Sequence, residues 1–422
     1  MTLALGILVV AIAAASYMAW NIGANDVANA MGTSVGSGAL TLMGAIVLAG
    51  VLEFAGAVIM GSSVTQTVSK GIVEVELFAS TGPLGEDGPM LLALGMVASL
   101  LAAAFWLHFA TVLALPVSTT HSIVGAVAGV GIASFGLSGV DWGTMLQIVM
   151  SWFVSPLLGG LLAFLSFLMI RQYILRSDDP VAATRRYSPI LIGLVVGIMI
   201  LSFIYKVLKN RMEAPPFVLA LGAAAAGGVV AGVLGAALVR NTAPREGATP
   251  YAYVERIFAL LQIATAAFVA FAHGANDVAN AVGPVATVVS LHQVGFSEVA
   301  GSIQVPFWVL VLGGAGIVVG LATMGYRVIA TIGSEITEVT PTRGFCAEFG
   351  AATTVLIASS LGLPISTTHT LVGGVIGVGF ARGISALNMR MVRNIGTSWI
   401  ATVPVAALLA ALIYVGLRAI VL

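Results

Sequence analysis

The chain has 422 residues, 59% of them hydrophobic and only 8% charged, against about 25% charged residues in an ordinary soluble domain. Mean hydropathy is +1.07; at about 20 apolar residues per membrane helix the length holds roughly ten to twelve spans, which excludes a soluble globular fold. The 17 basic and 17 acidic residues cancel without a long run of either sign, so there is no electrostatic footprint for nucleic acid. The lone Cys346 excludes an intrachain disulfide, and no zinc or iron–sulfur ligand spacing occurs.

Taken in chain order, Thr2 to Trp20 is apolar but is preceded by no basic residue, the first being Lys70. It therefore reads as a first membrane helix rather than a cleaved leader. Asn21 to Gly32, NIGANDVANAMG, recurs as AHGANDVANAVG at Ala272 to Gly283. Leu115 to Gly131, LPVSTTHSIVGAVAGVG, recurs as LPISTTHTLVGGVIGVG at Leu363 to Gly379, and SWFVSPLL at Ser151 returns more weakly at Ser398. Landmarks in one order at a near-constant offset mean a duplication. The expected division is a first transmembrane repeat over 1–170, a connecting segment with two helices and basic loops over 171–255, and a second repeat over 256–422.

Basic residues set the orientation, because short cytoplasmic loops carry their excess. Arg171, Arg176, Arg185, Arg186, Arg240, Arg245 and Arg256 fall on one side, against Lys206, Lys209 and Arg211 on the other. Ile132 to Trp142 has no Lys or Arg, whereas its repeat equivalent, Ala381 to Arg393, has Arg382, Arg390 and Arg393. Equivalent loops of opposite character imply inverted repeats with both termini outside the cell; a parallel duplication is the alternative. Polar stretches at Ser62 to Lys70 and Ser334 to Arg343, and a Pro before each STTH, suggest re-entrant or broken helices, which membranes tolerate only inside protein or beside a watery cavity. The expected fold is an all-α polytopic membrane protein of about twelve helices.

Asn25, Asp26 and Asn29, and their equivalents Asn276, Asp277 and Asn280, end long apolar segments. A carboxylate there costs about 2.5–3.5 kcal/mol on insertion scales, and no Lys or Arg is near in sequence. Clustered hard oxygens suit sodium or a proton; interhelical hydrogen bonding without a ligand is the plainer reading. Gly23 and Gly274 offer a departure from helix that would free carbonyl ligands. Ser118, Thr119, Thr120 and Ser366, Thr367, Thr368 follow Pro116 and Pro364, which would occupy the first helical position. A helix start with three hydroxyls is an anion site, unless the hydroxyls only cap. Glycine pairs Gly125/Gly129 and Gly373/Gly377 suit close helix crossings. His121 and His369 are expected as hydrogen-bonded structural partners, and Glu53 and Glu348 as intramembrane acids on an ion or proton path.

GANDVANA at Gly23 to Ala30 and Gly274 to Ala281, with P[VI]STTH at Pro116 to His121 and Pro364 to His369, resembles the inorganic phosphate transporter (PiT) family over nearly the whole chain. The resemblance implies an inverted-repeat symporter, commonly a homodimer in the cell membrane, that moves inorganic phosphate with sodium by alternating access. Asp26 and Asp277 look like cation-site carboxylates, joined by Asn25 and Asn276, and the six hydroxyl residues look like phosphate contacts. A proton-coupled symporter, a sulfate permease on the same scaffold and an ion channel are the alternatives. No cofactor is implied, and no nucleophile with an oriented base suggests an enzyme.

Overall fold

The computed structural model describes residues 3–113, 115, 117–204, 216–244, 246–299, 304–329, 338–383, 385 and 387–421. Pro116, Lys206, Lys209, Arg211, Arg245 and residues 334–337, together with the side chains of Asn29 and Lys70, lie outside this set.

The first half comprises α1 (Leu3–Asn25), α2 (Val27–Gly36), α3 (Leu42–Met60), α4 (Ser62–Lys70), α5 (Gly88–Val112), α6 (Thr119–Phe135) and α7 (Trp142–Ile170). The connecting segment supplies α8 (Pro180–Phe203) and α9 (Phe217–Asn241). The second half has α10 (Pro250–Asp277), α11 (Ala279–Gln293), α12 (Phe307–Met324), α13 (Pro341–Ser360), α14 (Thr367–Arg382) and α15 (Met389–Val421). Among the described residues, ten helical stretches are long and apolar enough to cross a bilayer. The chain is thus a multi-pass membrane protein.

Local chemistry sets many helix starts. Thr41 and Thr249 accept from the backbone N–H groups of Gly44 and Ala252, Asp141 from that of Thr144 and Asp179 from that of Ala182, while Pro180, Pro250 and Pro341 open helices where their missing N–H costs nothing. The Thr144 N–H and hydroxyl hold the Asp141 carboxyl below the usual carboxylate range. The expected helix breaks occur, but not at the glycines. α1 runs through Gly23 and is interrupted at Asp26; α10 runs through Gly274 and is interrupted at Val278. What the glycines provide is close approach: a Cβ at Gly23 would strike the Ile317 carbonyl of α12, and one at Gly274 the Glu53 carbonyl of α3. The expectation of unwound carbonyls there gives way to tight helix crossings.

Packing repeats on exchange of the halves. α1 packs on α12 as α10 packs on α3; α6 packs on α15 as α14 packs on α7; α1 meets α5 as α10 meets α13. At the second of these crossings Gly125 and Gly129 sit against the Val403 and Ala407 backbones, and Gly373 and Gly377 against those of Pro156 and Gly160, which are repeat equivalents. α7 runs from the loop after α6, residues 136–141, to the last turn of the equivalent helix α14, where Arg171 Nη1, just past the end of α7, donates to the Ala381 carbonyl at 2.6 Å. α8 and α9 pack mainly on each other and leave much of their apolar surface facing outward.

Candidate functional site

The STTH segments build two facing helix N-termini. Pro364 lies in the linker before α14 and does not open it, and α6 and α14 begin at Thr119 and Thr367; the expectation for Pro116 falls outside the described residues. Serine is the cap instead, because its hydroxyl reaches the orphan N–H three residues further in, within the first turn. Ser118 Oγ accepts from His121 N and Ser366 Oγ from His369 N, both at 3.1 Å. The threonines fill the first turn, where backbone N–H groups lack helical partners. All six hydroxyl residues are buried, and Thr120 Oγ1 donates to the Ile365 carbonyl of the opposite linker at 3.0 Å. The two starts therefore face each other at the junction of the halves.

Both aspartates are aimed at these starts. Asp26 Oδ2 accepts from Thr119 Oγ1 at 2.6 Å, and its Oδ1 accepts from Thr368 Oγ1 of the other half. Asp277 Oδ2 accepts from Thr367 Oγ1 at 2.8 Å. Thr119 and Thr367 are repeat equivalents, so each half makes the same Asp–Thr contact and Asp26 adds one across the junction. Asn280 Nδ2 donates to Thr119 and Thr120 at 3.3 and 3.2 Å.

Asn25 and Asn276 are directed elsewhere. The Asn25 amide donates to Thr111 Oγ1 (2.9 Å) and the Leu115 carbonyl (3.1 Å) and accepts from Val117 N (3.4 Å). Asn276, with its amide nitrogen facing Asp277 Oδ1 at 2.8 Å, accepts from Ser359 Oγ at 2.8 Å. Thr111 and Ser359 are repeat equivalents. Asn25 thus braces the linker that presents the hydroxyls, and Asn276 the end of the helix before the equivalent linker. In this arrangement the amide groups of Asn25 and Asn276, expected among the cation ligands, are engaged in bracing.

The aspartates also share a histidine that the sequence reading passed over. His273 Nε2 lies 2.9 Å from Asp277 Oδ2 and 3.8 Å from Asp26 Oδ2, while its Nδ1 lies 2.7 Å from Glu53 Oε2. All four are buried. The ligand atoms of Asp26, His273 and Asp277 lie within 4.8 Å of one another, a donor set able to hold a cation. The chain Glu53–His273–Asp277 exists at one crossing only. Where Gly274 meets Glu53, the equivalent Gly23 meets Ile317, and His273 itself aligns with Ile22. The signal was legible in one of the two exchanges between NIGAND and AHGAND, the one that puts His273 where the first copy has Ile22.

Glu348, on α13, is not at this centre. Its carboxylate accepts from Thr33 (2.7 Å), Ser34 (2.6 Å), Gln262 (3.0 Å) and Thr265 (2.7 Å), a buried polar cluster joining α2, α10 and α13. Four donors satisfy the carboxylate fully, so its burial needs no neighbouring cation. His121 and His369 pack as a pair against tryptophan, and His121 differs from expectation. They meet at 4.3 Å between ring centroids and lie against Trp152 (3.7 Å) and Trp399 (3.4 Å). Among the described residues neither nitrogen of the His121 imidazole has a hydrogen-bond partner, so stacking rather than hydrogen bonding holds it.

A duplicated helical membrane protein with two helix N-termini, six hydroxyl residues and two carboxylates converging in its interior is a carrier for a small ionic solute. The phosphate transporter family matches residues 22–410, and the chain belongs to that family. A Pyrococcus abyssi protein named "Putative phosphate permease" is 47% identical over 397 residues, 94% of each chain. The chloroplastic inorganic phosphate transporter 2-1 of Arabidopsis thaliana is 45% identical over 420 residues, covering 93% of this chain and 69% of its own. A solved structure described as the sodium-dependent phosphate transporter superposes with a TM-score of 0.90 at 43% identity, over 99% of this chain and 100% of that one.

Proposed function

We propose that the protein is a sodium-coupled symporter of inorganic phosphate in the cell membrane, working by alternating access between inverted repeats, as a homodimer with both termini outside. The observation that carries the reading is the pairing of each aspartate with the threonines that open α6 and α14. Those hydroxyls are the donors that a phosphate at the helix N-termini requires, and they are now given to the carboxylates. A cation taken up by Asp26 or Asp277 replaces the hydroxyl as the carboxylate's partner and releases it towards phosphate. Phosphate in turn brings negative charge next to the cation, so each ion raises the affinity of the other. Transport of phosphate alone would leave an anion beside two buried carboxylates, which burial forbids.

The substrate contacts in this reading are Ser118, Thr119, Thr120, Ser366, Thr367 and Thr368, with Asn25, Asp26, Asn276 and Asp277 as sodium ligands. Sulfate, which carries no P–OH donor at neutral pH, is disfavoured wherever a carboxylate oxygen faces the substrate. The inverted relation is supported by α7, which begins at the loop that follows α6 and ends beside the last turn of the equivalent helix α14. Proton coupling is the second reading, favoured by the buried Glu53–His273–Asp277 chain, which has the composition of a proton relay.

Radiolabelled phosphate uptake into proteoliposomes, under an imposed sodium gradient, a proton gradient or neither, separates these. Accumulation with sodium that Asp26→Asn and Asp277→Asn both strongly depress is the expected result. Accumulation with the proton gradient alone moves the assignment to the relay, and accumulation under no gradient overturns it.

A further inference from the structure

The two helices of the connecting segment form a groove that the transport cycle does not use. α8 and α9 cross through glycines, Gly193 against Gly228 and Pro189 against Gly232, so the helices run antiparallel with their backbones close. Small residues at the crossing leave an open trough of about 630 Å³, lined by side chains such as Ile190, Leu194, Val229 and Val233 and almost wholly apolar. It begins at Pro189 and Ala236 and ends near Leu201 and Leu221.

One end of the trough is basic. Arg186 lies four and seven residues before Ile190 and Gly193, and Arg240 lies four and seven residues after Ala236 and Val233, so each arginine continues the lining stripe of its helix. The antiparallel crossing brings both to the same end, about one helical turn beyond the trough. Both are exposed, whereas the neighbouring Arg185 is turned to the body, its Nε 3.3 Å from Tyr253 Oη. Of the acids near this end, Asp179 caps α8 through Ala182 N, and Glu255 accepts from Thr342 N.

We propose that this trough is a site for an anionic phospholipid, one acyl chain lying between α8 and α9 and the headgroup phosphate meeting Arg186 and Arg240. An apolar trough within the hydrocarbon layer accepts an acyl chain, and two exposed arginines at the interface select a net negative headgroup over a zwitterionic one. The seven-to-three basic count from the sequence places this end at the cytoplasmic leaflet.

The test is native mass spectrometry of the full chain in mild detergent, titrated with phosphatidylglycerol, with phosphatidylcholine of the same acyl chains, or with inorganic phosphate. Phosphatidylglycerol is expected to be retained roughly thirtyfold better than phosphatidylcholine, at about 1 kcal/mol for each of the two arginines. R186Q together with R240Q should equalise the two lipids without abolishing either. V229W, which fills the trough from an exposed position away from the crossing, should lose the bound lipid altogether. Equal retention of both lipids by the unaltered protein overturns the proposal. So does an adduct of inorganic phosphate that the arginine variant loses while lipid retention is unchanged, or conversion of a dimer to monomers by V229W, which would make the trough a contact between copies. If the arginine variant fails to fold, the comparison of lipids on the unaltered chain and on V229W still decides.

Discussion

The two aspartates are repeat equivalents without being equal. Asp26 accepts from threonines of both halves, Thr119 and Thr368, whereas Asp277 accepts from Thr367 of its own half. Hydrogen bonds to a charged group contribute about 1.5–3 kcal/mol each, so Asp26→Asn should depress sodium-driven uptake by roughly tenfold or more beyond Asp277→Asn. Equal losses, measured as Vmax over KM for phosphate at fixed sodium, would remove the cross-junction contact from the argument. Glu53 and His273 form a pair in contact, and residues in contact couple. Glu53→Gln, His273→Gln and the double variant should therefore be strongly non-additive in uptake, the double losing no more than the worse single. Independent losses would mean that the two residues act separately. Glu348 makes the opposite case. With Thr33, Ser34, Gln262 and Thr265 all donating to it, Glu348→Ala leaves four donors without their acceptor and should lower the thermal midpoint, whatever happens to transport.

At the scale of elements, glycine positions divide by what a methyl group would meet. At Gly23 it would meet the Ile317 backbone of α12, and at Gly222 of α9 there is open space. Gly23→Ala should destabilise by about 1–3 kcal/mol through forced helix separation, while Gly222→Ala should be neutral or stabilising by up to about 1 kcal/mol. Thermal unfolding followed by a thiol-independent probe separates them; similar midpoints would show that α1 and α12 can part at no cost. Much of this layer was legible beforehand. The GAND and STTH repeats gave the duplication, the buried acids and the hydroxyl triplets, because an intramembrane carboxylate or a polar helix start is conspicuous against an apolar background. What the sequence did not disclose followed from distance along the chain. The Ser caps displaced proline from the helix start, since Oγ geometry, not composition, decides where a helix begins. Asn25 reaches a linker some ninety residues away, which no local pattern encodes. His273 stands in the aligned motif, yet its meaning depends on Glu53 in a helix of the other half.

For the whole molecule, the exchange of α1·α12 for α10·α3 and of α6·α15 for α14·α7 makes the transporter two copies of one design, and the orientation of the copies decides whether one site can open to either side. In an inverted pair, equivalent loops face opposite compartments. Ser138 and Ser385 sit exposed in such a pair of loops, and the protein's own Cys346 is buried, with burial holding its thiol out of reach of a polar reagent. Ser138→Cys and Ser385→Cys, in cells expressing one variant at a time, should therefore report sidedness over a quiet background. A membrane-impermeant maleimide applied outside should label Cys at position 138 and leave position 385 unlabelled until the membrane is permeabilised. Labelling of both from outside would mean a parallel duplication. In that case the facing of α6 and α14 at the junction, and with it alternating access around Asp26 and Asp277, would need a rearrangement other than the exchange of equivalent halves.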